Sequence, residues 1–307
     1  MATSTIRTFR HDDLDVAQLA ERAGDLRISV CLPARDEAET IGPIVSTLRA
    51  RLMDDVPLVD ELVVVDDHST DDTARVASDA GARVVRAAEV LPELGLGPGK
   101  GQAMWKGLYV TSGDLVAWCD ADIRRFDERF VVGVVGPLVE HADISFVKGF
   151  YDRPVGRQVT GGGRTTELVA RPLLSLLFPH LASLVQPLSG EYGGRRDLLE
   201  RVPFIGGYGV EIGLLIDVAA EAGIDAMAQV DLGVRLHRNR PLAELGPQAA
   251  TIVRTALERA RPGLVPDPSV LVRPGVDPVP VDLLQLPPIA EVRADRGDNG
   301  REVRHTA

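Results

Sequence analysis

From about residue 27 onward, short runs of β-branched and other apolar residues alternate with amphipathic stretches, the pattern of a parallel or mixed sheet flanked by helices. Arg27–Leu32 predicts a first strand, stopped at Pro33 and followed by a helix from about Glu39 to Arg51. Glu61–Val65 predicts a second, stopped by Asp66-Asp67-His68-Ser69-Thr70. Asp71 and Asp72 then open a helix that ends before Gly81, acidic residues suiting the positive end of its dipole. Ala82–Val85 predicts a third short strand, ahead of the loop Gly95-Leu96-Gly97-Pro98-Gly99-Lys100-Gly101 and a helix over Gln102–Thr111. A fourth strand ends at Asp120. Four strands, each running into a turn of this kind, describe a nucleotide-binding half with its ligand at their carboxyl ends.

The second half is less regular. Ile144–Phe150 predicts a strand, Thr160–Arg164 a flexible loop, and Thr166–Leu177 an apolar helix stopped by Pro179. Gly190-Glu191-Tyr192-Gly193-Gly194 predicts a glycine-rich turn, and Gly206–Glu211 another that leads into an apolar helix through Ala222. A long helix follows Arg240 and reaches Arg261, after which Pro266–Ala307 is proline-rich and weakly periodic, reading as an extended or partly disordered tail. The expected organisation is an N-terminal helical extension (1–26), a nucleotide-binding half (27–150), a less regular second half of the same domain (151–240), and a C-terminal helix with a tail (241–307).

Composition narrows the chemistry. The chain of 307 residues is 45% hydrophobic and 26% charged, ordinary for a globular protein and long enough to bury a substantial core. No apolar run approaches the roughly 18 residues of a membrane helix, and residues 1–25 lack a basic start followed by an apolar stretch, so a cytoplasmic location is the default expectation. Cys31 and Cys119 fall in predicted central strands, where buried free thiols are expected rather than a disulfide or metal site. The formal net charge of −11 argues against nucleic-acid or anionic-membrane binding and favours a small ligand in a locally basic pocket.

Two features carry the candidate chemistry. In Asp114–Asp122 a buried apolar run ends in Asp120-Ala121-Asp122; on an extended segment the two carboxylates point to one side, able to grip a hard divalent cation or a ribose hydroxyl. Lys100 sits between glycines at the mouth of a helix, where backbone N–H groups and the dipole already favour an anion such as a diphosphate. The polar turns at Pro33–Gly42 and Asp66–Thr73 are placed to meet a nucleobase and ribose.

These segments, in this order and together with Gly149–Tyr151 and the turn ahead of Arg195-Arg196, resemble the family 2-like glycosyltransferases of the glycosyltransferase-A fold, a Rossmann-like α/β fold, over roughly residues 27–240. Within that superfamily the strings Thr160–Leu174, Gln186–Tyr192, Gly207–Leu215 and Val234–Leu242 resemble the actinobacterial glucosyl-3-phosphoglycerate synthases. The resemblance implies a retaining glucosyltransferase that moves glucose from UDP-glucose to the 2-hydroxyl of 3-phosphoglycerate with Mg²⁺ or Mn²⁺, and it suggests a homodimer built partly from the helices after residue 166 and the C-terminal segment. It implies that Pro33, Ala34, Glu37 and Asp67 contact the uridine, Lys100 the donor phosphates and Asp120, beside Ala121, the ribose. Asp122 and His237 become the metal ligands, an O/N set suited to Mn²⁺ or Mg²⁺ once the diphosphate completes it. Arg35-Asp36 and Asp67-His68 depart from the pattern of relatives, which touches the fine nucleotide contacts.

For the acceptor, a phosphate and a carboxylate on one small molecule call for a guanidinium fork, backbone N–H groups and a hydroxyl, and Gly163, Arg164 and Thr166 supply all three. Asn239 is the candidate for the acceptor's other end. Leu188, Tyr208 and Glu211 are expected to line the sugar pocket, with Glu211 orienting glucose hydroxyls or assisting acceptor deprotonation. A same-face substitution, in which the departing diphosphate helps take the acceptor proton, is favoured over double displacement. The rival readings are a mannosyl-3-phosphoglycerate synthase using GDP-mannose, a polyprenyl-phosphate glycosyltransferase, a nucleotide-sugar-binding regulator and a nucleotidyltransferase. The last normally carries its glycine-rich loop after the first strand, where this chain has Pro33-Ala34-Arg35-Asp36.

Overall fold

The computed structural model describes residues 5–153, 163–236 and 242–297. In chain order its elements are β1 (Arg7–Arg10), α1 (Val16–Ala23), β2 (Ile28–Ala34), α2 (Ile41–Arg49), β3 (Glu61–Asp66), α3 (Thr73–Asp79), β4 (Arg83–Arg86), α4 (Lys100–Val110), β5 (Leu115–Trp118) and α5 (Arg129–Glu140). They continue with β6 (Phe146–Asp152), α6 (Arg171–Leu177), β7 (Tyr192–Arg195), α7 (Arg196–Leu199), β8 (Phe204–Ile205), α8 (Val210–Ala222) and β9 (Met227–Val234). The last are α9 (Leu242–Ala260), β10 (Val270–Arg273), β11 (Val276–Pro280), β12 (Gln285–Leu286) and α10 (Ile289–Asp295).

Eight strands form one sheet in the order β1-β9-β6-β7-β5-β2-β3-β4. All neighbours pair in parallel except β7, which is antiparallel to both β5 and β6. Both faces are covered, which is why the strands read as continuous apolar runs. On β3, Val63 and Val65 face one core with α4 and α8, while Leu62 and Val64 face a second with α2 and α5; Val116 and Trp118 against Leu115 and Ala117 divide β5 in the same way. The sheet is the mixed α/β sheet with helices on both faces that the pattern predicts.

Four parts differ from the sequence expectation. Arg7–Arg10, expected to belong to a helical extension, instead forms the edge strand β1 beside β9, and the helical part there is a short 3-10 turn at His11–Asp13 and α1. The expected turn at Gly190–Gly194 contains β7, an interior strand. A Cβ on Gly193 would lie 2.6 Å from the Val116 carbonyl oxygen, and one on Gly194 would lie 2.7 Å from that of Ser145. The glycines there serve close strand contact, not a bend. α5 and β9, unassigned in the sequence, complete the fold.

The proline-rich tail, in its described part, is folded. β10 and β11 make an antiparallel pair, β12 pairs with β8, and α10 lies beside α4. Prolines give no N–H but keep their carbonyls: Trp105 Nε1 donates to the Pro287 carbonyl at 2.7 Å, and the Gly206 N–H donates to that of Leu284 at 2.7 Å. The tail thereby holds the turn that opens α8. Cys31 and Cys119 are buried and free, and burial first, with Glu61 adding to it, pushes the Cys31 thiol up to about 12. Among the described residues no helix is long and apolar enough to cross a membrane.

Candidate active site

The turns that follow β2 and β5 and the first turns of α4 and α8 converge on one cleft of about 260 Å³. α4 begins at Lys100, directly after Gly99. It can seat there only because residue 101 is glycine, since a Cβ would lie 2.0 Å from the Ile205 carbonyl oxygen of β8. The Lys100 ammonium thereby sits 2.7 Å from Asp120 Oδ1 and 2.7 Å from Glu211 Oε1, bridging the turn after β5 and the first turn of α8.

A second cation organises the other side. Arg235, just past β9 and 3% exposed, places Nη1 at 3.0 Å from Asp120 Oδ2 and from Glu191 Oε1, and Nη2 at 2.5 Å from Asp122 Oδ1. Its Nη1 also donates to the Tyr151 hydroxyl at 2.5 Å. Asp120 is thus held between Lys100 and Arg235, with Gly190 so close that a Cβ there would lie 2.0 Å from Oδ2. The expected extended Asp-x-Asp is not what forms: β5 stops at Trp118, and residues 121 and 122 lie in a turn whose Ala121 carbonyl accepts from Thr40 Oγ1 at 2.7 Å. One guanidinium gathers the two carboxylates instead of strand geometry.

Of the residues expected from the sequence, Glu37, Lys100, Asp120, Ala121, Asp122, Gly163, Arg164, Thr166, Leu188, Tyr208 and Glu211 all line this cleft. Pro33, Ala34 and Asp67 lie beside it at the ends of β2 and β3 without lining it; Ala34 is buried, and Asp67 Oδ2 accepts from the Gly99 N–H at 2.8 Å, tying the second strand end to the loop ahead of Lys100. His237 and Asn239 lie outside the described residues. Arg235, Arg153 and Glu191 were not singled out by sequence reasoning. Arg235 falls inside the Val234–Leu242 string, but nothing local marks a guanidinium whose partners are over forty residues away along the chain or more.

The electrostatics follow from this packing. Burial alone lowers a lysine pKa, yet the Asp120 and Glu211 carboxylates outweigh it and hold Lys100 well above its ordinary value, so it stays charged. Burial works against the Asp120 charge too, and Lys100 and Arg235 override it, so Asp120 is held well below the usual carboxylate range. Glu191 is pushed up, chiefly by burial, with Arg235 opposing.

Lys148 on β6 shows the reverse. It is 1% exposed, donates to the Ser189 carbonyl at 2.8 Å, lies 3.7 Å from the centre of the Tyr192 ring and forms no ion pair among the described residues. Burial brings its ammonium down from 10.5 to about 7. A lysine whose folded pKa is depressed binds fewer protons folded than unfolded between those two values, so its contribution to stability improves as pH rises through that window. Lys148→Met removes this term. In urea titrations at pH 6.5 and 9.5, wild type is expected to gain on the variant by on the order of 1–3 kcal/mol at the higher pH; a pH-independent difference defeats this account.

Asp122 fits a hard dication in one respect. It lines the cleft, its side chain is 35% exposed, and its described partner is Arg235 alone. No group of three His, Cys, Asp or Glu side chains that could hold a metal occurs among the described residues, so further ligands must come from elsewhere, such as a diphosphate.

Comparison with known proteins agrees with this geometry. The family model described as glycosyl transferase family 2 matches residues 29–172. The glucosyl-3-phosphoglycerate synthase of Mycolicibacterium paratuberculosis is 48% identical over 271 residues, 86% of this chain and 80% of that protein. The crystal structure of the Mycobacterium tuberculosis glucosyl-3-phosphoglycerate synthase with Mn²⁺, UDP-glucose and phosphoglyceric acid is 44% identical with a TM-score of 0.85, covering 94% of this chain and 99% of its own. The same enzyme is also known with Mg²⁺ and UDP. The mannosyl-3-phosphoglycerate synthase of Rubrobacter xylanophilus is 39% identical with a TM-score of 0.84, covering 93% and 97%. With this identity spread over most of both chains, the protein belongs to the glucosyl-3-phosphoglycerate synthase family of glycosyltransferases.

Proposed function

We propose that the protein is a retaining glucosyltransferase that moves glucose from UDP-glucose to the 2-hydroxyl of 3-phosphoglycerate, with Mg²⁺ or Mn²⁺ held by Asp122 and His237. The observation that carries this reading is a single cleft joining the Lys100–Asp120–Glu211 cluster to the Gly163-Arg164-Thr166 segment, so that a charged leaving group and an anionic acceptor meet in one space. The ligands bound by the mycobacterial relative support it.

Pro33, Ala34, Glu37 and Asp67 take the uridine, and Asp120, with Ala121 next to it, the ribose. Lys100, charged and at a helix N-terminus, stabilises the departing diphosphate. The dication, when bound, neutralises charge on that diphosphate. Leu188, Tyr208 and Glu211 line the hexose pocket. Glu211 is 5% exposed and already accepts from Lys100 at 2.7 Å, which suits orienting sugar hydroxyls better than attacking the anomeric carbon. The anomeric carbon therefore breaks its bond to the diphosphate oxygen and forms one to the acceptor oxygen on the same face, the acceptor proton passing to the leaving diphosphate. Gly163, Arg164, Thr166 and Asn239 hold the acceptor.

Two buried free thiols suit a reducing, cytoplasmic setting. The exposed Leu168 and Leu176, 74% and 81% accessible around α6, suit a homodimer contact. The test is to incubate the protein with Mg²⁺, 3-phosphoglycerate and a panel of nucleotide sugars and to identify the product by mass and anomeric coupling. A hexosyl-phosphoglycerate formed from UDP-glucose, with the donor's anomeric configuration kept, is expected. The Rubrobacter likeness gives the second reading its footing, and turnover confined to GDP-mannose would establish it instead.

A further inference from the structure

The charges that line the cleft do not all find partners within it. Lys100 is met by Asp120 and Glu211, and Arg235 by Asp120, Asp122 and Glu191. Arg153 is different. It directly follows β6 and forms no ion pair among the described residues. Its Nη2 donates to the Tyr151 hydroxyl at 2.7 Å, its guanidinium carbon lies 4.9 Å from the centre of the Tyr151 ring, and its Nε is buried without a hydrogen-bond partner. An unmet buried donor costs about 1–3 kcal/mol. It acts on the Glu191 carboxylate through space, but that group is already paired with Arg235, so a guanidinium with no ion pair of its own among the described residues, beside a cleft, is a recognition element in waiting.

Its position says for what. Arg153 lines the main cleft and also a neighbouring one of about 500 Å³, and Gly163, Arg164 and Thr166 are shared by the same two clefts. It therefore stands at the throat where the two meet, alongside the segment proposed for the acceptor. The Tyr151 hydroxyl accepts from both Arg153 and Arg235, so the fork is oriented by the same side chain that braces the Asp120–Asp122 cluster.

Resting on the function proposed above, we infer that Arg153 is a second acceptor-binding guanidinium, which holds the carboxylate of the phosphoglycerate while Arg164 and the backbone and hydroxyl around it hold the phosphate. A three-carbon acid with an anion at each end needs a cation at each end. The planar fork matches a planar carboxylate, and the N–H-rich start of the helical segment at residues 164–177 suits a phosphate.

Steady-state kinetics with three acceptors test this in the full-length protein with Mg²⁺ and UDP-glucose: 3-phosphoglycerate, glycerol 3-phosphate, which lacks the carboxylate, and D-glycerate, which lacks the phosphate. Arg153→Gln is expected to raise the KM for 3-phosphoglycerate tenfold or more, leaving the KM for UDP-glucose within twofold. The penalty should persist for D-glycerate and vanish for glycerol 3-phosphate, with Arg153→Lys recovering part of the loss. An unchanged KM for 3-phosphoglycerate, an equal rise for the donor, or an equal penalty on glycerol 3-phosphate overturns the inference. If wild type itself transfers to none of these acceptors, the proposed function has failed, a result separable from failure of Arg153 alone.

Discussion

Lys100→Met is expected to lower the turnover of UDP-glucose by about 10²–10³, the range for removing one preorganised group that stabilises a leaving anion. The size follows from where the ammonium sits. At 2.7 Å from both Asp120 and Glu211, it is the shared counter-ion of two carboxylates, one of them on a residue only 5% exposed. Without it, a diphosphate entering the cleft meets the Glu211 carboxylate without its described cation and Asp120 with Arg235 alone, so donor binding and chemistry both suffer. Arg at this position keeps the charge but not the compact ammonium, and Lys100→Arg should recover only part of the rate. Since the Lys100 pKa is held well above its ordinary value, no loss of rate from its deprotonation is expected below pH 9. Turnover within tenfold of wild type in a folded Lys100→Met protein would remove Lys100 from the diphosphate site.

The largest effect on stability is expected at Arg235. Its guanidinium is almost fully buried, and it is the described ion-pair partner of Glu191, which is 0% exposed. Arg235→Met leaves that carboxylate and Asp122 without their partner and Asp120 with one cation instead of two. Removing one member of a buried pair costs about 3–5 kcal/mol, which urea denaturation at pH 7 should show. The deficit has a pH signature. The Glu191 carboxyl is already held above the ordinary range by burial, and losing Arg235 raises it further. A carboxyl with a raised folded pKa lets the folded state take up protons more readily than the unfolded chain, so the variant regains stability as pH falls through that raised value. Asp120 acts in the same direction, because the wild-type stability from its lowered pKa is itself lost on acidification. Adding Glu191→Gln to Arg235→Met should recover about 1 kcal/mol or more by removing the stranded charge. A single variant as stable as wild type, or a double variant less stable than the single one, would mean that Arg235 is not the counter-ion of this cluster.

Much of the donor half was legible because its signals are local. β2, β3 and β4 are short apolar runs closed by polar turns, and α4 follows a glycine-rich loop, so their places could be read within a few residues. The cleft-lining Lys100, Asp120 and Asp122 stood out for a similar reason: each sits at the end of an apolar run or the start of a helix, where a charge has no packing purpose, whereas Glu211 came into view only with the family resemblance. β7 was illegible. Its glycines imitate a turn, and only the carbonyls of Val116 and Ser145 on the neighbouring strand segments show why no side chain fits. The tail was illegible as well, since weak periodicity hides contacts made by proline carbonyls and by a two-residue strand.

The order of apolar and polar residues by itself determined the α/β layering, the strand ends where a ligand must lie, and some of the charged groups gathered there, Lys100, Asp120 and Asp122 among them. Tertiary structure alone decided how those charges are shared. Lys100 is set between the turn after β5 and the first turn of α8, and Arg235 between Asp120, Asp122 and Glu191, while Arg153 lies against Tyr151. The physical reason is distance along the chain: hydrophobic period and capping act over a few residues, whereas the pairing of buried charges depends on groups that only the closed sheet brings within 3 Å.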